Sequence, residues 1–392
     1  MNSSFWNSFS FSIWIQNCFD CDDRLFWFKV LSLFTFIFYL FLSDTKNKYT
    51  RHEIVQALKD LRRWSQSETD RCSFCNELLD LGGIPRFLKF LTSTEAVADT
   101  EYVCLVSSII SSCSFIRNTT TEHHGYGESS DNNRSDEIGE KIARKCIDRG
   151  GIQAMLGANH KIYRGGSDVR TLKALDCIWA GIGNILSRKA VLDDIKKAQT
   201  LRIFNDAIAT LCLIKETTTD ATWVPRILVK IFSVLAYLSS CSPDASLVAS
   251  DCKGKEVFQT CVQAVTSSNK ESGYDGKVWS TVSRFFINCY NRLFFAINGY
   301  DDLVKIVIPF YIEYIKIAPN EAFDEGAFGF LCSAGEVIGK SLLGEIPDMM
   351  TTLGNVMDSR NNDEMKRLTK FEARKLLKYL LWSFEAEWIT VL

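Results

Sequence analysis

Apolar residues recur every three or four positions over long stretches of this chain, which is the spacing of amphipathic α-helices. The first such series runs from Ile54 to Trp64. In front of it, Thr50 and Glu53 have the spacing of a capping box, in which the two residues satisfy each other's backbone donors. Only six prolines and twenty-two glycines interrupt 392 residues. So few helix breakers suit long helices with short connections, and they predict an all-α protein.

A glycine pair separates two helical runs in the segment Leu78-Leu-Asp-Leu-Gly82-Gly83-Ile-Pro85-Arg-Phe-Leu88. Gly82 and Gly83 can supply the positive φ angle that ends one helix. Pro85 then falls in the first turn of the next helix, where proline is favoured. The pattern therefore predicts a tight turn between two consecutive helices.

The same signature returns between Cys146 and Leu156, with Gly150 and Gly151 as the glycine pair. A long helical run follows each copy, at about Glu101–Phe115 and Thr171–Ser187. This sequence of two helices joined by a Gly-Gly turn and a longer third helix resembles the armadillo repeat. The resemblance implies an armadillo-like α-solenoid, a right-handed superhelix of two- and three-helix repeats.

The two glycine pairs are 68 residues apart, whereas armadillo-type repeats recur about every 40–47 residues. Residues 117–140 are polar, include His123 and His124, and lack apolar periodicity. They predict a disordered insertion of 24 residues, without which the spacing becomes 44. The insertion would therefore bring the two copies into the repeat range.

Three further long helices are predicted without a Gly-Gly turn, at Arg226–Ser239, Lys277–Leu293 and Gly326–Leu343. Val304–Ile317 is rich in β-branched residues, which would suit a strand, and it contains Pro309. Because a single strand would have no pairing partner, we predict a helix that kinks or restarts at the proline. The result is a degenerate armadillo-like array.

Residues 1–49 form a hydrophobic N-terminal segment that does not match the repeat domain predicted over residues 50–392. Residues 25–42 are almost entirely apolar, and as a helix they would span about 27 Å, close to the roughly 30 Å of a hydrocarbon core. Acidic residues precede this run and basic residues follow it, which places the C-terminal body in the cytoplasm. A single transmembrane span, a cleaved signal peptide and a sequence absent from the translated protein all remain open.

The charge and the cysteine content indicate which ligands and which compartment to expect. The chain has 45 basic and 47 acidic residues with no strongly one-signed block, so no nucleic acid is indicated. Most of the fourteen cysteines lie singly in apolar helical runs, which predicts reduced thiols in a cytosol-like compartment. The C-x-x-C pairs Cys18/Cys21 and Cys72/Cys75 lie about fifty residues apart, too far for a zinc site with two such pairs.

No catalytic, metal or cofactor set emerges from the sequence. Gly335-Glu-Val-Ile-Gly339-Lys-Ser341 has three residues between its glycines, whereas a phosphate-binding loop has four. Gly181-Ile-Gly183 lacks the third glycine of a dinucleotide fingerprint. Both segments are predicted to place small residues at helix–helix contacts, and the protein is predicted not to be an enzyme.

The armadillo resemblance implies that the third helices line a groove that holds an extended peptide or a helix of a partner protein. In related proteins, groove asparagines bond to the ligand backbone, often one turn after a tryptophan. Asn184, in Gly183-Asn184-Ile-Leu186, matches the Gly-Asn-aliphatic part of the family pattern, and Asn288 is the other candidate. Trp179 lies five residues before Asn184, where the family spacing is four, and it suits the helical core equally well.

The C-terminal helix is predicted to begin at a second capping box, Thr369 to Glu372. Basic and apolar residues alternate along it, as in helices that lie on anionic membranes or dock on partners. A polar cap on the end of the array is the simpler interpretation.

The sequence thus favours a cytoplasmic protein-binding scaffold or adaptor, tethered to a membrane if residues 25–42 span it. A chaperone cofactor of armadillo fold, exchanging nucleotide on an Hsp70-type protein, is the second hypothesis. An enzyme whose site residues are scattered along the sequence is the third.

Overall fold

A computed structural model describes residues 50–391 except 68–70, 94–98, 115–129, 164–167, 189–190, 192–194, 196, 217–222, 242–258, 261, 264–274, 294–299, 339–342, 344–345 and 359–366. Within these residues there are fifteen helices and no strand, which confirms the all-α prediction. None of these helices is both long and apolar enough to cross a membrane. The predicted span at 25–42 and the rest of residues 1–49 lie outside the described residues. The chain divides into two compact units, with the boundary after Ile162.

The first unit contains six helices. They are α1 (Arg51–Gln66), α2 (Arg71–Asp80), α3 (Gly83–Thr92), α4 (Thr100–Ser114), α5 (Ser130–Asp148) and α6 (Gly151–Tyr163), the last of which extends one residue past the boundary. The capping box of α1 is confirmed, because the Thr50 N–H donates to Glu53 Oε2 at 2.7 Å and the Glu53 N–H donates to Thr50 Oγ1 at 3.3 Å. Helix α1 packs on α2 and α4, and α5 packs on α2, α3 and α4.

The predicted insertion at 117–140 is wrong in its second half, because α5 already begins at Ser130. Ile138, Ile142 and Cys146 repeat every fourth residue and are buried, so this helix does carry an apolar face. The polar residues around them pair along the helix, with Lys141 2.7 Å from Glu137. The remainder of the insertion, residues 117–129, lies outside the described residues.

The paired glycines lie at the junctions of α2 with α3 and of α5 with α6. Gly82 has a φ of 64° and Gly150 a φ of 71°, a conformation that costs glycine little and other residues more. The second glycine of each pair begins the next helix in a crowded position. A Cβ atom on Gly83 would overlap Leu78 Cδ1. Each pair therefore meets two demands, one of backbone conformation and one of space.

The second unit contains α7 (Val169–Leu186), α8 (Lys197–Glu216), α9 (Trp223–Cys241), α10 (Gly276–Leu293), α11 (Tyr300–Ile317), α12 (Pro319–Asp324), α13 (Ala327–Ile338), α14 (Met349–Asp358) and α15 (Arg367–Val391). The long helices predicted near 171–187, 226–239 and 277–293 correspond to α7, α9 and α10. Helix α9 packs against α7, α8 and α10. The layer formed by α7, α9 and α10 holds the candidate site.

A third glycine turn joins α12 to α13 and was not predicted. Gly326 has a φ of 80°, and its N–H donates to the Phe323 carbonyl at 3.0 Å, as Gly82 donates to Leu79 at 3.1 Å. The residue after it is Ala327 instead of a second glycine. The predicted long helix at 326–343 is represented by α13, which follows this turn. A search for glycine pairs misses the turn because only the first glycine is required for the positive φ.

Helix α11 is continuous through Pro309, which is exposed, so the strand alternative for Val304–Ile317 does not hold. The aromatic face of α11 supplies the reason. Phe310 stacks on Trp279 with ring centroids 4.8 Å apart, and Tyr311 stacks on Phe330 at 4.4 Å. Buried aromatic pairs of this kind offset part of the cost of a proline inside a helix.

The capping box predicted at Thr369 is wrong. Thr369 lies inside α15, fully buried, and its hydroxyl donates to Asn320 Oδ1 at 3.0 Å. Its side chain therefore joins α15 to α12 instead of capping its own helix.

Candidate functional site

Helices α7 and α9 lie side by side and run in the same direction. Near their N-termini, the Lys173 ammonium lies 5.4 Å from the centroid of the Trp223 ring. Further along, a Cβ atom on Gly183 of α7 would lie 3.5 Å from Val234 Cγ2 of α9. Helix α10 packs against α9 in turn. Three helices separated widely in sequence therefore form one layer.

Each helix of this layer leaves one stripe of side chains open to solvent. The stripes follow the spacing of one helix face, with three or four residues between members. On α7 they are Val169, Lys173, Cys177, Ala180 and Asn184; on α9 Trp223, Arg226, Lys230, Ser233 and Tyr237; on α10 Lys277, Thr281 and Arg284. We call these residues the layer surface.

The charge of the three helices is strongly one-sided. Their sequences contain seven basic residues and one acidic residue, although the whole chain has a net charge of −2. The one acid, Asp176, is buried. Lys173, Arg226, Lys277 and Arg284 are all exposed. The layer surface is therefore cationic, a property that the near-neutral charge of the chain conceals.

A cation–π cluster lies where α7 meets α9. The Arg226 guanidinium lies over the Trp223 ring, 4.6 Å from its centroid, and Lys173 approaches the same ring. Arg226 Nη2 is also 3.3 Å from Asp176 Oδ2. The ring and the carboxylate together restrict the guanidinium, which can then present its remaining N–H groups to an anionic ligand.

Asp176 is an acidic residue whose buried surroundings disfavour a negative charge. Burial raises the pKa of its carboxyl, and the nearby Arg226 and Lys230 charges offset part of that rise. Its Oδ1 atom is buried and accepts no hydrogen bond from the described residues. Since buried carboxylates are costly without full hydrogen bonding, we expect Asp176 to lower stability while it holds Arg226 in place.

Arg284 is held from the other side of the layer. Its Nε and Nη2 atoms donate to the two carboxylate oxygens of Glu325 at 3.0 and 2.9 Å, and the Ser280 hydroxyl donates to the same group at 2.6 Å. Burial acts to raise the pKa of Glu325, but the hydrogen bonds from Arg284 and Ser280 outweigh it and lower the pKa. Glu325 belongs to the glycine turn at Gly326, so this turn fixes one cation of the layer surface.

The residues that the sequence predicted to line a groove belong to the helices of this layer but differ in their exposure to solvent. Asn184 is half-buried and belongs to the layer surface. Trp179 is fully buried in the core of α7, so the hypothesis that it contacts a ligand is wrong and the alternative, a core residue, applies. For Asn288, the structure describes only its position within α10.

The other candidate chemistries find no support among the described residues. No group of three or more His, Cys, Asp or Glu side chains there could hold a metal ion. Gly335 lies in α13, where a Cβ atom would lie 3.1 Å from Tyr379 Cε1 of α15, a close helix–helix contact instead of a phosphate loop. His123, His124, Cys18 and Cys21 lie outside the described residues.

The eight cysteines whose side chains are described are all thiols. Cys75, Cys113 and Cys146 are buried together, as expected for small apolar residues, and burial raises the pKa of Cys146 to about 12. Cys212 departs from the expectation because it is exposed on α8. An apolar helical run therefore does not bury every cysteine in it.

Comparison with known proteins gives no functional assignment. No family model and no curated protein matches the chain. One solved structure, an engineered protein from the Northeast Structural Genomics Consortium, is 15% identical, covers 77% of this chain and 97% of its own, and has a TM-score of 0.48. A second engineered protein from the same consortium is 13% identical, with coverages of 89% and 98% and a TM-score of 0.43.

Proposed function

We propose that the chain is a protein-binding scaffold, an armadillo-like solenoid whose layer surface holds an extended acidic segment of a partner. The observation that carries the proposal is the layer of α7, α9 and α10, in which exposed cations from three helices lie on one surface. The layer has no acidic side chain of its own that is exposed. An acidic ligand would add negative charge to this surface, where Arg226 and Arg284 each already contact one carboxylate and Lys277 is exposed.

The arrangement of the helices supports the solenoid part of the proposal. In a solenoid, equivalent helices of successive repeats lie side by side and leave an extended binding surface. Helices α7 and α9 are equivalent in this sense, because they run in the same direction and α8 connects them in sequence. The glycine turns at Gly82, Gly150 and Gly326 share one backbone conformation.

The spacing of the layer favours a particular ligand conformation. Packed helices lie about 8–10 Å apart. A polyproline-II segment advances about 3.1 Å per residue, so every third side chain returns to the same side after roughly 9 Å. Acidic residues at positions i, i+3 and i+6 of such a segment would each meet one helix of the layer.

A pair of synthetic peptides tests this proposal. Both have the same composition and a length of about twelve residues, enough to cross three helices. In one peptide the aspartates occupy every third position, and in the other they are clustered. Fluorescence anisotropy with the full-length protein should show tighter binding of the evenly spaced peptide and no binding of its lysine counterpart.

Matched variants locate the site. Arg226→Gln with Lys277→Gln removes two exposed cations of the layer surface and should weaken peptide binding about tenfold. Arg202→Gln with Lys305→Gln removes two exposed cations from α8 and α11 and should leave binding unchanged. Equal effects of the two double variants, or absence of binding by the acidic peptide, would refute the proposed surface.

A further inference from the structure

The outward face of α15 exposes large apolar side chains that the fold does not use. Leu368 is 62% exposed, Phe371 60% and Leu381 47%. The opposite face is fixed in the second unit, with Ala373, Leu376 and Leu380 buried. The exposed leucines and the phenylalanine are therefore not remnants of a loosely attached helix, because the helix itself packs against α13 and α14.

Cations lie among these apolar side chains. Arg367, Arg374, Lys375 and Lys378 are exposed on the same side of α15, and Lys370 is half-buried. Up to Leu381, the only acidic residue of α15 is Glu372, which is half-buried and lies 3.5 Å from Lys375 Nζ. Between Arg367 and Leu381, the outward face therefore combines apolar and cationic groups and carries almost no negative charge.

We propose that this face binds the surface of an anionic phospholipid bilayer. The apolar side chains would enter the boundary between headgroups and acyl chains, and the cations would contact the lipid phosphates and carboxylates. Helices that lie in a membrane interface combine Phe and Leu with Lys and Arg in this way. On the layer surface, by contrast, the exposed large apolar side chains are Val169 at 44% and Tyr237 at 37%, and they lie on two different helices.

The mixture of apolar and cationic side chains on one exposed helix face suits a flat anionic bilayer, which needs no matching pocket on the partner. The charge complements an anionic leaflet, where each nearby Lys or Arg contributes about fivefold to the binding constant. Because α15 is already folded against α13 and α14, binding does not require the helix to form first.

Co-sedimentation of the full-length protein with vesicles tests the proposal. The vesicles contain phosphatidylcholine alone or with about a third phosphatidylserine, the anionic lipid of cytoplasmic leaflets. We expect stronger binding to the anionic vesicles and a loss of that excess at high salt. The basic residues that follow 25–42 would also favour anionic vesicles, so only the part of the excess that the α15 variants remove is assigned to this face.

Two double variants separate the contributions. Leu368→Gln with Phe371→Gln should lower the anionic partition coefficient about tenfold or more, because each side chain loses its transfer into the interface. Arg367→Gln with Arg374→Gln should lower it about 25-fold and weaken the dependence on salt. Arg202→Gln with Lys305→Gln is the control, and it should bind vesicles as the parent does. Thermal melts followed by circular dichroism establish that each variant is folded.

Two results would overturn the proposal. One is equal binding to neutral and anionic vesicles that none of the variants changes. The other is α15-dependent binding to soluble polyglutamate without binding to vesicles, which would assign the face to an acidic protein. Because the peptide test depends on Arg226 and Lys277 and the vesicle test on α15, failure of either proposal leaves the other standing.

Discussion

The carbonyl oxygen of Cys146 lies 2.7 Å from the position that a Cβ atom on Gly151 would occupy. This oxygen belongs to the backbone of α5 and cannot rotate away as the end of a side chain can. Gly151→Ala should therefore lower the free energy of unfolding by about 1–3 kcal/mol, the usual range for overpacking. Urea unfolding followed by circular dichroism measures the change.

Gly157, in the same helix as Gly151, supplies the control. An added Cβ there would meet nothing within 4 Å. Gly157→Ala should raise the free energy of unfolding by about 0.5–1 kcal/mol, because alanine restricts the unfolded chain and favours helix. A Gly151→Ala protein as stable as the Gly157→Ala protein would show that α5 and α6 do not approach closely at this turn.

Local patterns in the sequence were sufficient to predict the helices and the first two glycine turns. Gly82 and Gly150 each precede a second glycine and an isoleucine, and apolar spacing marks the helices on both sides. At Gly326 the second glycine is Ala327, so the motif is incomplete although the backbone is the same. The geometry of the turn depends only on the first glycine, which has the positive φ. The sequence motif also includes the second glycine, which is there because of close packing.

The layer surface could not be predicted from the sequence, and the reason is a different one. Lys173, Arg226 and Lys277 belong to three helices separated by about fifty residues, and acidic residues in the intervening segments balance them. Local charge counts therefore show no basic block. Only the packing of α7, α9 and α10 places the cations on one surface.

The pKa of Asp176 provides a prediction with a defined sign. Burial raises it above the value in the unfolded chain, which is about 3.9. The charged carboxylate of Asp176 therefore lowers the free energy of unfolding. This loss of stability is absent below pH 4, develops as the pH rises through the folded pKa, and is complete above it. Asp176→Asn should raise the free energy of unfolding by about 1 kcal/mol at pH 7, and the gain should disappear below about pH 4.

Asp80 is exposed at the end of α2 and serves for comparison. Asp80→Asn should change the free energy of unfolding by less than about 0.5 kcal/mol. Urea titrations of both variants and the parent at several pH values provide the measurement. If Asp176→Asn destabilises the protein at pH 7, then the contact with Arg226 contributes more than the burial of the carboxylate costs.

Glu325 should behave in the opposite way. Its pKa is lowered by the hydrogen bonds from Arg284 and Ser280, which outweigh burial, so it stabilises the fold above the unfolded pKa of about 4.3. This contribution is lost as the pH falls through the folded pKa. Glu325→Gln should lower the free energy of unfolding by about 1 kcal/mol at pH 7 and much less under acidic conditions.

The same substitution should have a second effect. Once Glu325 is neutral, the charge of Arg284 is no longer compensated, and the layer surface becomes more positive. Binding of the evenly spaced acidic peptide should then become tighter while the protein becomes less stable. A parallel loss of stability and of peptide binding would indicate that Glu325 positions Arg284 for the ligand instead of competing with it.

Substitutions of Phe310 and Phe371 test whether the exposed face of α15 contributes to the stability of the fold. Phe310 is fully buried, stacked on Trp279, and packed edge-on against Phe286 with centroids 5.3 Å apart. Phe310→Ala should lower the free energy of unfolding by about 3–5 kcal/mol, because it leaves a cavity among aromatic rings. Phe371→Ala should change it by less than about 0.5 kcal/mol, since its ring is mostly in water. If urea unfolding shows comparable losses for both, then Phe371 is packed against the protein in solution and is not available to a bilayer.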